Sequence, residues 1–390
     1  MTYEIMIVLS AAILLSYVLD FVSRALHFPS VILLLGVGIG LQITVNAFGL
    51  TVPVLNDLLP ITGNIGLILI VLEGSMELTI TSEKKLLILK SFLSAVIILS
   101  VLVFIFTYGF MEFFETDLRT AMLNAIPIAI ISSAVVIPSI GHLTSKNREF
   151  IIYESTFSDI TGILLFNFVD SNDVILWSSV SREIWFLVLM IIISVILTAI
   201  LAFFIEKVNH HVKFLPIISF LVLGYAIGKY YHLSPLILIF IFGLLLNNYR
   251  TFLFDSIQKF ISSDKLDTDL RSFKHITAEA VFVARTFFFI LFGYVADLSQ
   301  LNSMDNWAFA FLIFFILVIV RFLYLFITDR NNIRPLLFYA PRGLITVLLF
   351  ISIPATERIP EINETVILMV VFLTILLMIF GRFGAVKKSD

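Results

Sequence analysis

Apolar runs long enough to cross a bilayer recur thirteen times along this chain, and no soluble fold has a use for so many. About 20 such residues span the hydrocarbon core of a membrane. The intervals are 3–24, 29–48, 62–80, 87–110, 119–141, 148–170, 183–207, 213–230, 233–248, 276–297, 307–327, 333–353 and 363–384. Open sheets cannot satisfy their backbone in lipid, so each interval reads as a helix and the fold class as all-α and polytopic. Only 14% of the 390 residues are charged, against about 25% in soluble domains. The 40 phenylalanines are expected on lipid-facing surfaces.

Lysine and arginine set the orientation. With the N-terminus outside, the inward loops hold 18 of the 25 basic residues and the outward loops hold four. The other three, Arg285, Arg321 and Arg342, fall inside spans. This bias predicts an outside N-terminus, a cytoplasmic C-terminus and an odd number of spans. The first helix reads as retained, because no basic stretch or small-residue cleavage site precedes it. The polar segment from Tyr249 to His275 reads as an amphipathic connector, and the His210-His211 pair as part of a solvated loop.

Thirteen divides into six, one and six. Span five carries Pro127 and Pro138 around Ser132-Ser133, and span twelve carries Pro335 and Pro341-Arg342-Gly343. The expected plan is one membrane domain over 1–390: a first repeat (1–170), a linker helix (183–207) and an inverted second repeat (213–384). Interrupted spans at matching places in inverted halves point to a transporter site. Each proline removes a backbone donor and frees a carbonyl.

Asp159 sits near the middle of span six. A carboxylate there costs about 2.5–3.5 kcal/mol on insertion scales and marks a functional site by default. At 100° per residue Asp159 shares a face with Ser155, and Glu154 lies about 140° away. The two acids therefore face different surroundings. Proton and cation compete for one buried carboxylate, because either neutralises the charge that burial penalises. Asp159, Ser155, Ser158, Ser132 and Ser133 form the expected cation-ligand set. The plain alternative for the serines is helix–helix hydrogen bonding.

Arg321 has no acid nearby in sequence, so its charge demands a partner on another helix, for which Glu154 is the candidate. Arg342 is expected in a watery vestibule, and Arg285 beside Glu279 or Asp297. Glu73 and Glu77 lie one turn apart and repel, which puts one of them neutral or near the interface. The Gly36-Val37-Gly38-Ile39-Gly40 run mimics a nucleotide loop, but without a preceding strand it reads as close helix packing. The absence of cysteine excludes disulfides and thiolate metal sites. No basic patch fits nucleic acid, no loop fits a nucleotide, and neither a cofactor nor an enzymatic nucleophile–base pair is expected.

The segment Glu154-Ser155-Thr156-Phe157-Ser158-Asp159-Ile160-Thr161-Gly162 resembles the Glu-Ser-x-x-Asn-Asp-x-x-Gly signature of the monovalent cation:proton antiporter superfamily, in its sodium/proton exchanger domain. The glycine run in span two, Gly74-Ser75-Met76-Glu77, Phe287 to Gly293, and Pro341-Arg342-Gly343 follow in the family's order, so the resemblance covers essentially the whole chain. It implies that Asp159 carries cation and proton, that Ser158 stands where the family has Asn or a second Asp, and that Glu154 pairs with Arg321. It also implies Na⁺, Li⁺ or K⁺ exchange for H⁺, one cation per proton, by alternating access in a homodimer. The family's Thr-Asp-Pro in span five is replaced here by Ser132-Ser133-Ala134. The sequence leaves open another inverted-repeat carrier, such as a sodium/organic-anion symporter, and a transport-inactive sensor.

Overall fold

The computed structural model describes residues 2–26, 29–48, 54–172, 177–207, 214–231, 235–252, 263–296 and 298–385. Their regular secondary structure is entirely helical. Among the described residues, each of the thirteen intervals is mostly helical. Six described helices are long and apolar enough to cross a membrane by length and composition. His210 and His211 lie outside the described residues.

The helices form two packed groups. In the first, α2 (Ser30–Ala47), α3 (Val54–Glu77) and the long α12 (Ser263–Val295) lie together. Helix α10 (Pro235–Asn247) joins α3 to α8 (Trp177–Lys207) and α9 (Phe214–Tyr230), and α1 (Thr2–Leu26) covers α2. In the second, α4 (Lys85–Phe114) packs on α5 (Leu118–Ala129) and α7 (Ser145–Asp170). Helix α13 (Met304–Thr328) packs on α16 (Glu364–Ala385) and α4. Spans five and twelve are both broken. Helix α5 stops at Ala129 and the chain restarts as α6 (Ser133–Val136). Likewise α14 (Ile333–Leu337) stops before α15 (Leu344–Ser352). The four-residue α11 (Tyr249–Phe252) follows α10.

Burial separates centre from rim. In Leu118–Ser139, 83% of the most apolar window is buried, against 28% for Met304–Thr328. Helix α7 touches α4, α5 and α6 of its own group and α3 of the other. The groups also meet where Tyr153 Oη donates to the Thr79 carbonyl at 2.7 Å.

Two expectations change. Helix α12 begins at Ser263, so the segment to His275 continues a spanning helix rather than forming a separate connector. Phenylalanine is not confined to lipid-facing positions either. Phe104 and Phe113 are exposed, but Phe288, Phe289, Phe242 and Phe350 are among the most buried side chains. Within the glycine run only Gly38 makes a close approach. A side chain there would collide with the α12 backbone at Ile290 and Gly293, whereas Gly36 and Gly40 face open space.

One end of the second group is tied by Arg119. It pairs with Glu357, and donates to the Val169 carbonyl at 3.3 Å and the Asp170 carbonyl at 3.0 Å. Asn124 adds a bond to the Glu357 carbonyl at 2.8 Å. Next to this end Asp117 caps α5 by accepting from the Arg119 and Thr120 amides.

Candidate functional site

The break in span five leaves amides and carbonyls that an unbroken helix would pair four residues apart. The Ile131 amide donates to Ser158 Oγ at 3.0 Å, the Ser132 amide to the Pro341 carbonyl at 2.9 Å, and the Ser133 amide to Asp159 Oδ2 at 3.1 Å. The carbonyls that Ser132 and Ser133 would have served, Ile128 and Ala129, accept from Arg342 Nε at 2.9 Å and Nη2 at 3.1 Å. Both broken spans and α7 therefore meet at one point, and the amides of Ile131, Ser132 and Ser133 each find an acceptor outside their own helix.

Arg342 is 2% exposed, which corrects the expectation of a watery vestibule. Its guanidinium is held by carbonyls, including Ala340 at 2.9 Å, and its own amide by Thr374 Oγ1 at 3.0 Å. A cation beside the carbonyl end of α5 is favoured, because the helix dipole leaves partial negative charge there. Gly343 next to it packs against Ser132 and Val135, where a side chain would collide.

Glu154 faces away from this point. Arg321 grips it through Nη2 to Oε2 at 2.8 Å and Nη1 to Oε1 at 3.1 Å, and Ser94 donates to Oε1 at 2.5 Å. Arg321 also donates to the Leu336 carbonyl from Nε and Nη2, at 3.0 and 2.8 Å. Both charges are almost fully buried. Such a pair endures only when nearly every donor and acceptor is satisfied, as here.

The five expected ligands are brought together unequally. Asp159 Oδ1 and Ser132 Oγ are buried and have no hydrogen-bond partner. Ser158 Oγ is engaged with Ile131, and Ser155 Oγ donates to the Ile152 carbonyl of its own helix at 3.2 Å. Ser133 contributes its amide to Asp159.

Glu73 and Arg285 border a cavity of about 510 Å³ that also touches Asp20, Arg382 and Ala134. Arg285 does not turn to Glu279, which is exposed; Asp297 lies outside the described residues. Its Nη1 instead donates to the Ala134 carbonyl at 3.1 Å. Glu77 is exposed at the end of α3 and Glu73 is half-buried. Sequence reasoning missed Ser94 and Thr374. Neither is the sole hydroxyl of its mostly apolar helix, and no spacing betrays a partner more than 30 positions away.

The family model for the transmembrane sodium/hydrogen exchanger matches residues 9–386. No curated protein matches the sequence. Two solved structures of the sodium proton antiporter MjNhaP1 from Methanocaldococcus jannaschii are similar in fold. The structure at pH 8 has a TM-score of 0.76 at 19% identity, covering 100% of this chain and 99% of that one. The electron-microscopy map has a TM-score of 0.72 at 19% identity, with the same coverage. With nearly the whole sequence inside the family model, the chain belongs to the transmembrane sodium/hydrogen exchanger family.

Proposed function

We propose that the chain is a secondary antiporter exchanging a monovalent cation, Na⁺ or Li⁺ with K⁺ as the further candidate, for H⁺ by alternating access. The observation that carries this reading is the pair of unpartnered oxygens at the break, Asp159 Oδ1 and Ser132 Oγ. A buried acceptor left unpaired costs about 1–3 kcal/mol, more when charged. A hard cation prefers oxygen ligands, and a proton satisfies the same carboxylate, so each relieves the cost by excluding the other. One carboxylate with neutral neighbours carries one positive charge at a time, which supports electroneutral exchange. Ser133, Ser155 and Ser158 then hold the frame, and Glu154 with Arg321 braces it without taking part. The fold shared with a sodium proton antiporter supports the same reading. The loop charge bias supports a cytoplasmic membrane with the N-terminus outside, and the family resemblance a homodimer of inverted repeats.

The test is purified protein in proteoliposomes with an internal pH dye. Addition of Na⁺ or Li⁺ is expected to drive protons out, and Asp159→Asn to abolish the flux. Failure of Na⁺, Li⁺ and K⁺ alike, or normal flux in Asp159→Asn, would sink the proposal.

A further inference from the structure

Helix α6 has one rung that it cannot make from its own backbone. The Ser132 carbonyl accepts from the Val136 amide at 3.2 Å, and the Ser133 carbonyl accepts from the Ile137 amide. The next carbonyl, Ala134, should accept from residue 138, but Pro138 has no N–H. The carbonyl after that, Val135, takes the Ser139 hydroxyl at 3.0 Å. The missing rung is filled from another helix and the other group: Arg285 Nη1 of α12 reaches the Ala134 carbonyl at 3.1 Å. Both Ala134 and Arg285 line the same cavity.

We infer that Arg285 is a positioning residue for the cation site, its guanidinium standing in for the amide that Pro138 lacks. The inference rests on the antiport reading of that site. The chain of effect is short. Ala134 follows Ser133, the amide of Ser133 holds Asp159 Oδ2, and Ser132 with its unpartnered hydroxyl precedes both. Fixing the Ala134 carbonyl fixes the turn from which both site contacts start. Arg285 touches neither Asp159 nor a transported ion, so it acts through α6. The competing explanation is charge alone: Glu73 and Asp20 border the same cavity, and Arg285 balances them. The two differ in one respect. A backbone amide can replace a donor, and it cannot replace a positive charge.

Four proteins separate them: the wild type, Arg285→Met, Pro138→Ala, and the double variant. Pro138→Ala restores an N–H facing the Ala134 carbonyl. Cation-driven proton flux is measured in proteoliposomes over a series of Na⁺ concentrations. With Pro138 present, Arg285→Met is expected to raise the half-maximal cation concentration about tenfold, the loss of one charge-assisted hydrogen bond, with a smaller change in maximal rate. With Ala at 138, the same substitution is expected to cost less than about threefold, because contacting residues couple in such a cycle. Equal penalties in the two backgrounds overturn the inference, as does an effect on maximal rate alone. If Arg285→Met yields too little folded protein for flux, the same cycle is read on melting temperature. Recovery in the double variant supports the inference, and no recovery overturns it. If the wild type moves no protons with Na⁺, Li⁺ or K⁺, the antiport reading fails, and the melting cycle still decides whether Arg285 replaces the missing amide.

Discussion

Asp159 and Arg342 take up the two halves of one broken hydrogen bond. In an unbroken helix the Ser133 amide would bond to the Ala129 carbonyl; here the amide goes to Asp159 Oδ2 and the carbonyl to Arg342 Nη2, each at 3.1 Å. The break is therefore held open by a negative and a positive side chain, each at the helix end whose partial charge it complements. Arg342→Met should abolish exchange and destabilise the protein by about 3–5 kcal/mol, since two buried carbonyls lose a charged donor. Thermal melting in detergent checks the stability and dye-based flux the exchange. An unchanged melting temperature would remove the bracing role.

Ser132 and Ser155 should behave differently although both are buried serines. The Ser132 hydroxyl has no partner, whereas Ser155 already donates to Ile152. Ser132→Ala should raise the half-maximal cation concentration by roughly three- to tenfold, the range of one modest polar contact. Ser155→Ala should change it little. The reverse ranking in a flux titration would show that the ligand oxygens are wrongly assigned.

Glu154 and Arg321 form a brace. Removing either one should cost about 3–5 kcal/mol, because the survivor is left as an uncompensated buried charge. Exchanging the two residues should recover part of that loss. Cation affinity in the surviving folded protein should move less than stability does. Melting curves of the single and swapped variants decide this, and clean folding of both single variants would argue against the brace.

Close helix packing in the glycine run is testable at one position against its neighbours. Gly38→Ala should destabilise by about 1–3 kcal/mol, because the new methyl meets α12 backbone that has no flexible end to yield. Gly36→Ala and Gly40→Ala should be near neutral. Four melting curves, the wild type and the three variants, decide it, and equal melting temperatures for all three variants would argue against the close approach at Gly38.

Asp117 offers a pH-dependent readout outside the membrane. Hydrogen bonds from Thr120, with the Arg119 amide behind them, hold its carboxyl below the ordinary carboxylate value of 3.8. A lowered folded value means that the cap contributes above that pH and loses its contribution as the pH falls through it. Asp117→Ala should therefore cost about 1 kcal/mol near neutrality, and the gap to wild type should close on acidification below the ordinary value. A gap that persists in acid would assign the effect to something other than the charged cap.

The sequence made much of this legible, for physical reasons that differ by residue. The spans stand out because lipid tolerates little besides apolar helix, and the breaks because proline marks them. The helix wheel separated Glu154 from Asp159, and the cost of an isolated Arg321 pointed to a buried acid. Arg342 was not legible, since its partners are the carbonyls of Ile128, Ala129 and Ala340, and carbonyls leave no pattern in a sequence. Nor could Gly38 be told from Gly36 and Gly40, because all three read alike until α12 lies against one of them. The extension of α12 back to Ser263 was hidden by its charges, which suit a solvated helix end as well as a loop.

The Arg119 tie and the cavity occupy opposite ends of the same broken span. Arg119 opens α5 and Ser139 follows α6, so the two halves of span five run from one to the other. At one end Arg119 ties three chain segments together, while at the other a recess of about 510 Å³ reaches α6. The two ends should therefore differ in how readily reagents from water reach α6.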